Sequence, residues 1–229
     1  MILTDYEWQT LLLSLKIASA AIIFSLPLAI FVAWVLARCH FVGKSLFDSI
    51  IHLPLVLPPV ALGYLLLITM GKQGLIGKWL YQNLGISMSF NWKGAAFASA
   101  VVAFPLIVRS IRLAIESIDI RLENVAYTLG TNQIRVFFTI TLPLAIPGIL
   151  MGMMLGFARC LGEFGATITF VSNIPGETRT IPLAMYNVLQ VPNGEQAAMR
   201  LCIISISLAL IALFSSEWLN RWHKRKLVG

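Results

Sequence analysis

Arg159 and Glu163 stand four residues apart in an otherwise apolar run, the spacing at which two side chains meet on one face of a helix. Paired in this way they neutralise each other, which is how ionisable groups are tolerated at membrane depth; such a pair is either a functional element or a structural tie. Gly162, Phe164 and Gly165 stand beside it, and Gly165, Thr167 and Thr169 offer a flexible backbone and hydroxyls. A helix broken at this point could aim backbone N–H groups and a positive dipole end at an anion. The residues for other chemistry are missing. There is no H-E-x-x-H, no G-x-S-x-G and no G-x-x-x-x-G-K-[ST] loop, so any ATP hydrolysis must come from another polypeptide. His40, His52 and His223 lie far apart, and His52, at the start of a proline-broken helix, is expected to satisfy a local hydrogen bond. Cys39, Cys160 and Cys202 have no metal-ligand spacing, and their odd number argues against a disulfide framework. A membrane enzyme built on Glu163 or His52 is the rival reading. The expectation is a chain that is not an enzyme and carries no metal or cofactor of its own.

The elements that must hold these residues are membrane spans. Of 229 residues, 58% are hydrophobic and 12% charged, about half the charged fraction of a soluble domain. The net charge of +7 could suggest nucleic acid, but the basic residues are scattered between apolar runs, with one cluster over 221–226. That pattern suits loops on the cytoplasmic side, facing acidic lipid headgroups, and no nucleic-acid partner is expected. Asp5 and Glu7 make the start acidic where a signal peptide would be basic, so no cleavable leader is expected.

Five spans are expected within one transmembrane domain over 1–229, at about 9–37, 49–70, 94–114, 138–158 and 200–218. Pro27 is expected to kink the first, and Lys16 to snorkel from its outer end. Pro54, Pro58 and Pro59 forbid a regular first half to the second, so that segment must be buried in protein or line a cavity. The stretch 71–92 reads as an interfacial loop with a short helix and aromatic anchors. In the fourth span Gly148, Gly152 and Gly156 share one face, for tight packing or a moving pore wall. The apolar segment 164–172 is too short to cross and is expected to dip part way in. Counting it as a sixth span would put the 221–226 cluster opposite Arg109, Arg112, Arg121 and Arg135, against the bias of basic loops to one side. Five spans place the N-terminus in the periplasm and the C-terminus in the cytoplasm.

Between the third and fourth spans lies a polar island, residues 119–143. Leu122, Val125, Ala126 and Leu129 recur at helical spacing, Asp119 can cap the start, Gly130 can end the helix and Thr131 can cap the next one. So apolar a helix outside the bilayer either docks into a partner's groove or lies on lipid. Gly130, Ile140, Leu142 and Pro143, with Ala126, fall in the register of E-A-A-x-x-x-G-x9-I-x-L-P; Asn124 and Val125 stand where the first two letters belong, with Glu123 one residue upstream. This stretch resembles the coupling motif of prokaryotic ABC-importer permeases. ARCLGEFGATITF, 158–170, is similar to a stretch shared by the sulfate and molybdate permeases of that superfamily, and VSNIPGETRTIPLAMY, 171–186, resembles the molybdate branch.

The resemblance implies an all-α integral membrane protein of the type I importer fold in the bacterial inner membrane, a homodimeric pore and two cytoplasmic ATPase subunits that hold the ATP and Mg. It also implies a periplasmic molybdate-binding protein as partner. By the same resemblance Glu123, Ala126, Gly130, Ile140, Leu142 and Pro143 contact the ATPase. The translocation path or gate includes Gly162, Glu163, Phe164 and Gly165, with Arg159 and Thr167 beside them, while Glu177, Thr178 and Arg179 face the binding protein. Sulfate or tungstate stays open as cargo. A carrier outside this superfamily would need its own coupling-ion site, for which one ion pair in five spans is thin support.

Overall fold

The computed structural model describes residues 4–228, with side chains over 4–212 and at Phe214. The first helix, α1 (Asp5–Arg38), opens on a capping box: the Glu7 N–H donates to Thr4 Oγ1 at 3.3 Å, and the Thr4 N–H donates to Glu7 Oε2 at 2.9 Å. The box starts the helix four residues ahead of the expected Gln9, and Pro27 lies inside it. Lys16 does not snorkel freely; its Nζ sits 3.9 Å above the Trp92 ring, a cation–π contact.

The span expected over 49–70 is a bent pair, α2 (Lys44–Val56) and α3 (Pro59–Met70), whose axes turn by 112°. The break falls at Leu57 and Pro58. A residue before proline is pushed out of the helical region, and Leu57 is extended accordingly. The first half is regular after all, with Pro54 inside α2, but thirteen residues rise only about 20 Å, short of a hydrocarbon core of about 30 Å. Next come α4 (Leu75–Leu84), the short helix expected in the loop, and α5 (Trp92–Glu116), where the Gly94 N–H donates to Asn91 Oδ1 at 3.0 Å. The polar island holds α6 (Ile120–Thr128) and α7 (Gln133–Val136). A π-helical turn, Phe137–Thr141, then runs on into α8 (Leu142–Leu161).

No sixth crossing forms: 164–190 is folded as α9 (Gly165–Val171) and α10 (Ile181–Leu189), of seven and nine residues, before the long α11 (Glu195–Val228). Among the described residues four helices are long and apolar enough to cross a membrane, five if the bent pair makes one span. The basic cluster at 221–226 lies on the backbone of α11, but its side chains are outside the described residues.

Small residues decide how these helices meet. Lipid tails are as apolar as leucine, so helices in a bilayer gain by close packing rather than by escaping solvent. Ala18, Ala21, Ala29 and Ala33 of α1 join Ala103, Ile107 and Ile111 of α5 and Ala145 and Ile149 of α8 in one core. The three glycines of α8 lie along α5: a Cβ at Gly152 would come 3.1 Å from the Ile107 carbonyl oxygen, and one at Gly156 would come 2.7 Å from Ile107 Cγ1. Their common face is therefore a packing seam. A second core joins Leu62 and Leu66 of α3, Ala95, Ala98 and Val102 of α5, and Ala166, Phe170 and Val171 of α9.

Ion pairs close both ends of the bundle. At one end Arg112 Nη1 meets Asp48 Oδ2 at 3.0 Å, joining α5 to α2. At the other, Arg200 Nε donates to Glu7 Oε1 at 2.8 Å, joining α11 to α1. His52 makes the local contact expected of it, its Nδ1 lying 2.9 Å from the Asp48 carbonyl oxygen.

Candidate functional site

The island between α5 and α8 folds as a knob. Asp119 Oδ1 accepts the Arg121 N–H at 2.9 Å to start α6. Gly130 ends it at φ +81°, a left-handed conformation, while the Thr131 N–H donates back to the Ala126 carbonyl at 3.2 Å. The next cap is Asn132 rather than Thr131: α7 starts at Gln133, and Asn132 Oδ1 accepts the Arg135 N–H at 2.8 Å. Ile120, Leu122, Val125, Leu129 and Ile134 all stand exposed, Leu129 at 80%. Burial and the Glu123 carboxylate raise the Tyr127 phenol above its ordinary pKa, with Arg38 opposing.

Glu123 is where the expected set of partner contacts needs correction. It is 4% exposed, and its Oε1 accepts from Arg38 Nε at 3.1 Å, Arg38 Nη2 at 3.0 Å and Thr141 Oγ1 at 2.8 Å. All three bonds fall on Oε1, and the buried acid is turned into the chain rather than toward an outside partner. Of the others, Gly130 and Pro143 are exposed, Ala126 and Ile140 half-buried, and Leu142 packs onto the α1–α5–α8 core. Pro143 also shapes the chain ahead of it. It has no N–H for the Thr139 carbonyl, and its ring would meet that carbonyl in a regular turn, so the ladder widens; the Leu142 N–H donates to Phe137, five residues back.

At the end of α8 the sequence pair is formed. Arg159 Nη1 lies 2.6 Å from Glu163 Oε2, with Glu163 2% exposed. The second carboxylate oxygen, Oε1, accepts the Ala166 N–H at 2.8 Å and so caps α9. The chain's own acid thus occupies the helix start that was expected to face an anion. Gly165 and the threonines are engaged in local packing and hydrogen bonds. A Cβ at Gly165 would come 2.7 Å from Pro59 Cβ and 3.2 Å from the Val60 nitrogen, so this glycine permits the close approach of α9 to α3. Thr167 donates to the Phe164 carbonyl and Thr169 to that of Gly165, each at 2.9 Å. Gly162 is exposed, and the Phe164 ring lies 5.2 Å from that of Tyr186 on α10.

Of the three residues expected to meet a partner in the loop after α9, Glu177 is the exposed one. Thr178 is 0% exposed; its hydroxyl accepts the Ile174 N–H at 2.8 Å and donates to the Ser172 carbonyl at 3.0 Å. Arg179 Nε donates to Asn173 Oδ1 at 2.8 Å, and its guanidinium stands over the Tyr6 ring. Both expected contacts are internal braces: Thr178 serves backbone groups of its own turn, and Arg179 ties the turn to Asn173 and Tyr6.

Arg38, Thr141 and the Glu7–Arg200 pair escape a reading by spacing, since their partners lie 85, 18 and 193 residues away. The available signal is that each charge falls inside or at the end of an apolar helix, where an unpaired charge is expensive.

This arrangement of broken second span, exposed knob and glycine-seamed helices is the fold of an ABC-importer permease. It superposes on a chain of the bacterial alginate ABC transporter, in complex with its alginate pentasaccharide-bound periplasmic protein, with a TM-score of 0.75, covering 95% of this chain and 79% of that one at 18% identity. The model of the family described as binding-protein-dependent transport system inner membrane component matches residues 25–228, and the chain belongs to that family. It is 65% identical over 226 residues to the molybdenum transport system permease protein ModB of Escherichia coli (strain K12), covering 99% of each chain. The protein of the same name from Haemophilus influenzae is 62% identical over 221 residues, 96% of each chain. The protein is accordingly a membrane transport permease subunit.

Proposed function

We propose that this chain is the membrane-spanning subunit of an ATP-driven importer that carries molybdate across the bacterial inner membrane. The observation that carries this reading is identity of 65% to a molybdenum permease across 99% of both chains. Two copies form the pore, two ATPase subunits dock on the knobs and hold the nucleotide and Mg, and a periplasmic molybdate-binding protein delivers the cargo. The chain itself holds no cofactor.

The physics of the cargo supports an energised, closable path. Even one side-chain charge at the bilayer centre costs roughly 3 kcal/mol on insertion scales, and a dianion carries two. The knob lies in the cytoplasm and the N-terminus in the periplasm. Arg38, Arg112, Arg121 and Arg135 all belong to the knob end, where the bias of basic loops favours the cytoplasm. The exposed apolar face of α6, with Ala126, Gly130, Ile140 and Pro143, is the ATPase dock. Arg159, Gly162, Glu163, Phe164, Gly165 and Thr167 form a hinge near the gate, and Glu177 is the outer-loop residue that can meet the binding protein.

The test is uptake of labelled molybdate into vesicles holding the complete reconstituted assembly, with sulfate and tungstate as competitors. Uptake that needs ATP and that excess sulfate does not suppress is expected. Preferential suppression by sulfate would move the assignment to the sulfate permeases, with which residues 158–170 share their sequence pattern. Uptake indifferent to ATP would remove the importer reading altogether.

A further inference from the structure

We propose that Arg38, Glu123 and Thr141 form a latch that transmits movement of the knob into α1 and α8, an inference that rests on the importer reading above. Of the nine residues of α6, Glu123 alone is buried. Within the knob, α6 is thus tied to the bundle through its chain ends and one buried carboxylate, while α7 buries Val136. On that carboxylate's Oε1 converge two donors from the last turn of α1, at 3.1 and 3.0 Å, and the Thr141 hydroxyl from the π-helical turn, at 2.8 Å. Arg38 Nη2 also donates to the Ile118 carbonyl, between α5 and α6, at 3.2 Å. Three segments of the chain therefore meet at this acid, and a fourth, at Ile118, is tied in through Arg38.

An apolar anchor could slide over its neighbours. Charge-assisted hydrogen bonds are directional, and a guanidinium that gives two of its donors to one carboxylate fixes orientation as well as distance. A displacement of α6 must carry Arg38 and Thr141 with it or break bonds inside a nearly dry site, where the two side chains are 12% and 5% exposed. What each receiving element does with the displacement follows from its form. α1 is a single helix of 34 residues from Asp5 to Arg38, which takes the movement to the Glu7–Arg200 pair at the opposite end. The π-helical turn sits where the ladder is already irregular and can change its hydrogen-bond register more readily than a regular turn. Arg38 and Glu123 are thus positioning residues for coupling; neither touches cargo or nucleotide.

The test measures ATP hydrolysed and anion taken up in the same vesicles of the complete assembly, for wild type and for Glu123→Gln, Arg38→Gln, Arg38→Lys and Thr141→Val. With ATPase subunits still bound and hydrolysis retained, uptake per ATP is expected to fall about tenfold in Glu123→Gln and Arg38→Gln, within the usual range of coupling energies. Smaller losses are expected in Thr141→Val and in Arg38→Lys, which keeps the charge. A tie that is merely structural would lower the yield of assembly while leaving uptake per ATP at the wild-type value, and that result overturns the latch. Should Glu123→Gln and Arg38→Gln fail to assemble, the milder Thr141→Val decides by the same ratio. Absence of ATP-driven uptake in wild type overturns the importer reading and the latch with it, whereas a normal wild type beside fully coupled variants overturns the latch alone.

Discussion

Glu163 does two things with one carboxylate: Oε2 pairs with Arg159 and Oε1 caps α9. Glu163→Gln keeps an acceptor for the Ala166 N–H but leaves the Arg159 charge without its counter-ion. Breaking a buried pair is strongly destabilising, but the Arg159 side chain is 30% exposed, which discounts the loss to about 1–2 kcal/mol. Thermal unfolding in detergent should show the lowered stability, and the hinge role given to the pair fails if both stability and uptake stay at wild-type values. Thr178 is a simpler case. Thr178→Val removes the hydroxyl that serves Ile174 and Ser172, leaving a buried donor unpaired at a loss of about 1–3 kcal/mol. Faster protease cleavage within 172–180 is the expected sign, and an unchanged cleavage rate would show that the turn holds without it.

At the scale of elements, two glycine positions make opposite demands. Gly130 has open space around it, nothing lying within 4 Å of an added Cβ, but its φ is +81°. Gly130→Val is therefore a purely conformational change, worth about 1–2 kcal/mol for a side chain forced into the left-handed region. The chain should insert and fold normally while ATP-driven uptake drops, because the knob no longer closes on itself. Full uptake by that variant would argue against a defined knob shape. Gly156 has an ordinary helical backbone but no room, with Ile107 side-chain atoms 2.7 and 2.8 Å from an added Cβ and Ile22 Cδ1 at 2.9 Å. Gly156→Leu should push α8 off α1 and α5 and lower stability by about 1–3 kcal/mol, read as a fall in Tm in detergent. A wild-type Tm would mean that the seam can spread.

For the whole molecule the decisive property is which way it faces. After Cys39 and Cys202, both partly exposed, are exchanged for serine, a Leu129→Cys variant carries its reactive thiol at a position 80% exposed on the knob. A membrane-impermeant thiol reagent applied to intact spheroplasts should leave it unmodified, while inside-out vesicles should label readily. Labelling in spheroplasts would place the knob in the periplasm and undo the orientation. The bundle is pinned at both ends, by Arg38–Glu123 and Arg112–Asp48 at one and Glu7–Arg200 at the other. Any alternation of access is then expected to move helices as units about the breaks at Pro58 and Gly162, rather than by local melting.

The sequence by itself determined the membrane class, the positions of most spans, the knob with its Asp119 start and Gly130 stop, and the Arg159–Glu163 pair. These rest on composition, on hydrophobic periodicity and on contacts within four residues, all of which one chain segment carries alone. It pointed to prolines interrupting the second span but spread the irregularity over the first half, whereas the structure keeps α2 regular and turns the chain by 112° at Leu57 and Pro58, where α3 packs on α9 and α5. Only the tertiary structure decided which charges look outward. Glu123 and Arg179 have the types and positions of surface contacts, and each is turned inward by a partner that no spacing rule supplies: Arg38 across 85 residues, and the ring of Tyr6. Thr178 bonds within its own turn, but its burial comes from the packing around that turn. A side chain's neighbours along the chain are written in its sequence, whereas its partners across a bundle exist only once helices that small residues allow to approach have fixed their mutual register.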